Sequence, residues 1–177
     1  RCGMPTVLLA PTGRAAKVLS GISGFPAYTI HKHIYRQKSV GNDGYGKFSL
    51  CPNRFKNTLF VVDEVSLIGI DAGSQGSIFG SGNLLEDLIA YVRAGDDCKL
   101  ILAGDAAQLP PVGMDASPAL SKEYMDGFGG VRYCTLSSVV RQASESGILR
   151  NATRLRELIS DGVDSLPCGE LGLELAG

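Results

Sequence analysis

Short apolar runs alternate with amphipathic stretches along this chain. Residues 6–10 (Thr-Val-Leu-Leu-Ala) are apolar enough for a buried strand, and Pro11-Thr-Gly13 then turns the chain. Residues 14–20 read as a helix, with Ala15, Val18, Leu19 and Ile22 at helical spacing. Thr29 is placed to cap a second helix over 30–36. From 37 to 57 that period is lost: Gly41, Gly44 and Gly46 surround Tyr45, and Lys47-Phe48-Ser49-Leu50 alternates, which predicts a small hairpin. A second buried strand follows at 58–62, then a stretch over 71–83 rich in Gly and Ser that reads as a loop. Residues 84–93 predict an amphipathic helix with Leu85, Leu88, Ile89 and Val92 on one face. Lys-Leu-Ile-Leu-Ala at 99–103 is a third strand and 131–136 a fourth. Residues 147–160 predict a last helix, with Ile148, Ala152, Leu155 and Ile159 on its apolar face. Strands alternating with helices predict an α/β fold around a mainly parallel sheet, and such sheets bind ligands beyond the carboxyl ends of their strands.

Composition narrows the class. The 177 residues are 44% hydrophobic and 20% charged, enough for one soluble domain with a core. No apolar run is long enough for a membrane span, so no membrane partner is expected. The five cysteines show no C-x-x-C spacing, which predicts reduced thiols and a cytoplasmic protein rather than a disulfide frame or zinc site. With a net charge of −1, any nucleic-acid site must be a local patch. The chain opens at Arg1 almost directly into a strand, as a piece of a longer polypeptide would.

The candidate chemistry falls at predicted strand ends. Asp63 and Glu64 close the strand at 58–62, where adjacent carboxylates are costly unless used; they equally suit a helix start. In phosphate-hydrolysing folds the first such acid holds Mg²⁺ and the second polarises the attacking water. Thr12 and Asp105-Ala-Ala-Gln108 follow two other strands. Gly41-Asn-Asp-Gly-Tyr-Gly-Lys47 matches the phosphate-loop spacing, but Phe48 stands where a Ser or Thr is needed, with no strand before it and no helix after.

Four segments together resemble the superfamily 1 helicases of the 5′-to-3′ branch, most closely the RecD-type DNA helicases. They are Ala10-Pro-Thr-Gly-Arg-Ala-Ala-Lys17 with Thr29-Ile-His31; Asp63-Glu-Val-Ser66; Gly104-Asp-Ala-Ala-Gln-Leu-Pro-Pro-Val-Gly113; and Val140-Arg-Gln142 leading into Ser146-Gly-Ile148. The resemblance spans roughly residues 7–159 and implies a RecA-like P-loop NTPase motor domain with ATP and Mg²⁺ as cofactors and single-stranded DNA as partner. It implies Asp63 as metal ligand, Glu64 as general base, Gln108 as γ-phosphate sensor, Asp105 as the residue holding that loop, and Arg141, with Gln142, as the arginine on the γ-phosphate. Pro11, Thr12, Gly13, Arg14, Thr29 and His31 would contact DNA, and Phe48 or Tyr45 of the hairpin could stack on a base.

The same resemblance divides the chain. Residues 1–138 would be part of the first motor domain, with a pin-like hairpin inserted at about 37–57, and 139–177 would open the second. The family's phosphate loop would lie upstream of Arg1, with its strand and helix. These 177 residues alone are therefore expected not to hydrolyse ATP, and to leave an open apolar sheet edge. The Gly/Ser-rich stretch at 71–83 departs from the family's helical run. The helicase subunit of exodeoxyribonuclease V, whose partners are recombination or nuclease subunits, and the conjugative relaxase-helicases share these motifs. Pif-type helicases share Gln-Leu-Pro-Pro, but Ala10-Pro-Thr-Gly-Arg14 and Arg141-Gln142 look more RecD-like. The rival of another class is a non-catalytic module that binds single-stranded DNA or a protein partner.

Overall fold

A computed structural model describes residues 3–40, 46–70 and 79–136, with residue 153 besides. The chain divides into two units, Arg1–Val131 and Arg132–Gly177, and the architecture below is that of the first. In chain order it runs β1 (Thr6–Ala10), α1 (Gly13–Ser23), β2 (Ala27–Thr29), α2 (Ile30–Ile34), β3 (Tyr35–Val40), β4 (Gly46–Leu50) and β5 (Leu59–Val62). A 3₁₀ turn (Val65–Leu67), α3 (Leu84–Arg93), β6 (Lys99–Leu102), a second 3₁₀ turn (Pro118–Leu120) and α4 (Lys122–Asp126) complete it.

Four strands form one parallel sheet in the order β2-β1-β5-β6. Its register explains the core. Val7, Phe60 and Leu100 stand side by side across β1, β5 and β6, as do Leu9, Val62 and Leu102. In-register neighbours project to the same face, and these pack with Ile30, Ile34, Leu85, Leu88, Ile89 and Val92 of α2 and α3. A fully buried side chain of this kind contributes roughly 1.5–3 kcal/mol. The opposite face carries Leu8, Val61 and Ile101. Ile101 is 48% exposed there, and among the described residues β6 pairs on one side only.

Several local expectations need revision. The helix at 14–20 extends over Gly13–Ser23 and ends on Gly24, whose φ of 73° suits glycine. Its expected apolar stripe is not the face it buries: Ala16 is buried, whereas Val18 and Ile22 are 53% and 74% exposed, because α1 packs on the β1–β2 end of the sheet with its outer side uncovered. The helix expected over 30–36 stops at Ile34, and Tyr35 turns extended to open the hairpin, whose strands β3 and β4 pair antiparallel with a register shift between Gln37 and Ser39. The strand expected at 131–136 is absent: Val131 packs on the core, but residues 132–136 are exposed and carry no strand pairing. Helix α3 and strand β6 fall where the apolar pattern puts them. The helix expected at 147–160 (residue 153 excepted), Tyr45, and most of the loop at 71–83 lie outside the described residues.

Candidate functional site

Because all four sheet strands run the same way, their carboxyl ends share one edge. There β1 hands over to Pro11, Thr12, Gly13 and Arg14, β2 ends at Thr29, β5 at Asp63 and Glu64, and β6 at the loop holding Asp105 and Gln108. From sequence, Thr12, Asp63-Glu64 and Asp105 with Gln108 are expected at the carboxyl ends of one parallel sheet, and the parallel topology brings them to one rim.

The carboxylate pair is held by backbone. The Asp63 amide donates to Leu9 O at 3.0 Å, continuing the β1–β5 ladder past the strand. Asp63 Oδ1 then accepts the Glu64 amide at 3.0 Å. Glu64 sits in the left-handed region, φ 57° and ψ 37°, at a cost of about 1–2 kcal/mol for a residue with a side chain. The turn behind it maintains that conformation. The Val65 amide donates to Ala103 O at 3.0 Å and the Leu67 amide to Glu64 O at 3.1 Å. The buried Ser117 hydroxyl lies 2.8 Å from Val65 O and 2.6 Å from Ile68 O, and accepts the Ala119 amide. Both carboxylates are half-buried at the rim.

The loop after β6 packs directly on that turn. A Cβ on Gly104 would fall 2.8 Å from Val65 Cγ2 and 3.0 Å from the Ser66 amide nitrogen, so only glycine lets the two loops approach. Asp105 closes its own loop: Oδ1 accepts the Ala107 amide at 3.0 Å, and its carbonyl accepts the Gln108 amide at 3.1 Å. Gln108 is exposed, as are Leu109 and Val112 of the proline-stiffened stretch that follows.

Thr12 and Thr29 are helix caps. Thr12 Oγ1 accepts the Ala15 amide at 3.2 Å, and Thr29 Oγ1 accepts the Lys32 amide at 3.3 Å. Each hydroxyl keeps its own proton to donate, beside first-turn amides aimed off the rim. Arg14 and Lys17 are both exposed.

His31, in the first turn of α2 after Thr29, and Phe48 of β4 both make ring contacts. The His31 ring meets Phe79 edge-on at 5.0 Å and Tyr35 at 5.7 Å. One face of Phe48 is taken by Phe79, whose ring stacks on it at 4.7 Å and 24°, so that face packs the hairpin against its neighbour. Gly46 and Lys47 open strand β4 where a phosphate loop would open a helix; the rest of the Gly41–Lys47 spacing match lies outside the described residues. Arg141 and Gln142 lie outside the described residues. Sequence reasoning missed Ser117, the left-handed Glu64, and the buried Tyr35–Asp87 pair; Gly104 directly after a strand was the visible trace of the close approach.

A parallel sheet flanked by helices, with its polar loops and carboxylates along one carboxyl edge, is the architecture of a RecA-like P-loop domain. A family model described as an AAA domain matches residues 1–163, and the chain belongs to that family. It is also similar to the ATP-dependent RecD2 DNA helicase of Deinococcus radiodurans, with 33% identity over 151 residues. That match takes in 85% of this chain and 17% of the helicase. No helix among the described residues is long and apolar enough to cross a membrane.

Proposed function

We propose that this chain forms most of the first motor domain of an ATP-dependent DNA helicase that moves 5′-to-3′ on single-stranded DNA in repair or recombination. The observation that carries the reading is the single rim on which parallel strands set Thr12, Thr29, Asp63, Glu64, Asp105 and Gln108. The similarity to a RecD2 helicase over 85% of the chain supports it. Glu64 acts as the base that takes a proton from the attacking water, and Gln108 reads the γ-phosphate from the loop that Asp105 closes. Thr12, Thr29 and Arg14 bind the phosphates of the DNA strand, with His31 beside them. Arg141, with Gln142, is the arginine for the γ-phosphate.

The donor set suits magnesium bound with a nucleotide. Among the described residues no group of three or more His, Cys, Asp or Glu side chains could cage a metal. Mg²⁺ needs no cage: it keeps waters and takes one or two carboxylates plus substrate phosphates. Asp63, whose other contact is the Glu64 amide, would hold it with Glu64 alongside. When bound, the ion neutralises charge on the phosphates.

The test is Glu64→Gln in the intact protein. ATP binding should persist, while hydrolysis falls on the order of a hundredfold or more, since the shape stays and the base goes. Unchanged steady-state hydrolysis would overturn the assignment.

A further inference from the structure

Three rings from three segments stand in a row. The Tyr28 and His33 rings lie 6.3 Å apart at 28°, and the His33 and Phe55 rings 5.7 Å apart at 32°. Tyr28 belongs to the edge strand β2 and pairs in register with Leu9, so it projects to the face that α2 covers. His33 is in the last turn of α2, and Phe55 precedes β5, at the end of the sheet opposite the rim. The two outer rings are open to solvent, Tyr28 at 44% and Phe55 at 37%. His33 Nε2 is buried with no hydrogen-bond partner among the described residues, so this ring serves as a flat surface and not as a polar group.

The segment carrying Phe55 is pinned. Asn53 Nδ2 donates to Tyr91 O at 2.9 Å, and Asn53 Oδ1 accepts the Phe55 amide at 2.9 Å. Phe55 O accepts the Asp96 amide at 3.1 Å, and the Asn57 amide donates to Asp96 O at 2.8 Å. A Cβ on Gly95 would fall 2.6 Å from Asn53 Nδ2, so the segment lies hard against the end of α3. The Phe55 ring meets Phe60 edge-on at 5.4 Å. A ring held this way loses little freedom when a ligand binds. Cations adjoin the row. Lys32 and Arg54 are next to His33 and Phe55 in the chain, and Arg36 is near enough to lower the His33 pKa. All three are exposed, and none forms an ion pair among the described residues. Lys56 is taken by Asp96 at 3.5 Å.

We propose that Tyr28, His33 and Phe55, with Lys32, Arg36 and Arg54, form a stacking platform for single-stranded nucleic acid, a second contact beyond the rim residues Thr12, Arg14 and Thr29. Unpaired bases offer a flat face to each open ring while the cations meet the phosphates. A duplex keeps its bases stacked on one another and cannot use the rings. An apolar protein partner would leave three cations unanswered. The platform stands without the helicase reading, since a non-catalytic single-strand binder would use it equally, and it needs no nucleotide.

The experiment measures binding of a long oligothymidylate to the intact protein by fluorescence anisotropy, without nucleotide. Tyr28→Leu and Phe55→Leu keep an apolar side chain and remove the flat ring. Each should weaken binding about fivefold or more, the loss of one base stack, while binding of a blunt duplex stays within about twofold. Phe55→Trp, which keeps a flat ring, should bind at least as tightly as wild type. Lys32→Gln and Arg54→Gln change exposed side chains and leave the fold intact. Each should flatten the salt dependence by roughly one unit of log slope or less. Single-strand binding unchanged in both leucine variants would overturn the platform. So would an equal loss for the duplex, or unchanged salt slopes in both glutamine variants. Arg14→Ala is the rim comparator. A loss there with the platform variants unaffected keeps the rim and overturns the platform, whereas the reverse pattern keeps the platform and overturns the rim.

Discussion

Glu64 is held in a conformation that suits glycine, which makes its substitution a two-sided measurement. Its φ of 57° and ψ of 37° are enforced by the Asp63 side chain on its amide and by the Gly104 and Ser117 packing behind it, all of which survive truncation of the side chain. The left-handed region costs a residue with a Cβ about 1–2 kcal/mol, whereas glycine loses roughly 0.5–1 kcal/mol through its freer unfolded state. Glu64→Gly should therefore be at least as stable as wild type and more stable than Glu64→Ala by about 1 kcal/mol. For a chain of this size that separates the two melting midpoints by roughly 2–4 °C. Both variants should lose ATP hydrolysis in the intact protein, so the more stable is no more active. The assay is urea and thermal unfolding of wild type and both variants side by side. If Glu64→Ala equals or exceeds Glu64→Gly in stability, the backbone strain is not there and the reasoning fails.

Ser117→Ala should cost about 1–3 kcal/mol in the urea midpoint, since it strips a buried hydroxyl from two carbonyls and an amide; a shift near zero would mean that water replaces it at no cost. Arg14→Ala should weaken single-strand binding and flatten its salt dependence by roughly one unit of log slope or less, and equal slopes would reduce Arg14 to a solvated helix residue. Burial, and then the charge of Arg36, lower the His33 pKa from its ordinary 6.5. A group whose pKa is lower folded than unfolded takes up protons on unfolding, so the stability tied to it is whole above pH 6.5 and lost as pH falls below. His33→Phe keeps a ring among Tyr28, Phe55, Phe60 and Tyr91, and should be less sensitive to acid than wild type in unfolding titrations. An unchanged pH profile would place the titration elsewhere.

What could be read from sequence follows from what apolar spacing encodes. Residues 84–93 have a regular period and a capping Asn83, and α3 has the expected bounds. Strands β1 and β5 are short apolar runs buried on the core face and β6 one that is half-buried there, and they too were legible, along with the polar residues just beyond them. Spacing says nothing of which side of an element the chain covers, hence the exposed Val18 and Ile22 on α1. Nor does an apolar run guarantee a partner: residues 131–136 have the composition of a strand without the pairing that makes one. The conformation of Glu64 was invisible because it is set by contacts from Ala103 and Ser117, distant in sequence. Phe48 illustrates the same limit, since alternation marked the strand but not the ring of Phe79 against it.

The missing side chain at Gly104 also has a mechanical meaning. Loops that meet through water or long side chains have slack: one can shift some way before the other responds. Here bare backbone rests on Val65 and on the Ser66 amide, with Leu120 closing the other side at 3.3 Å from where a Cβ would stand. The Val65 amide is bonded to Ala103, the residue just before the glycine. Such a joint has no backlash. A displacement at Gly104, at the start of the loop bearing Gln108, would press directly on the turn bearing Glu64.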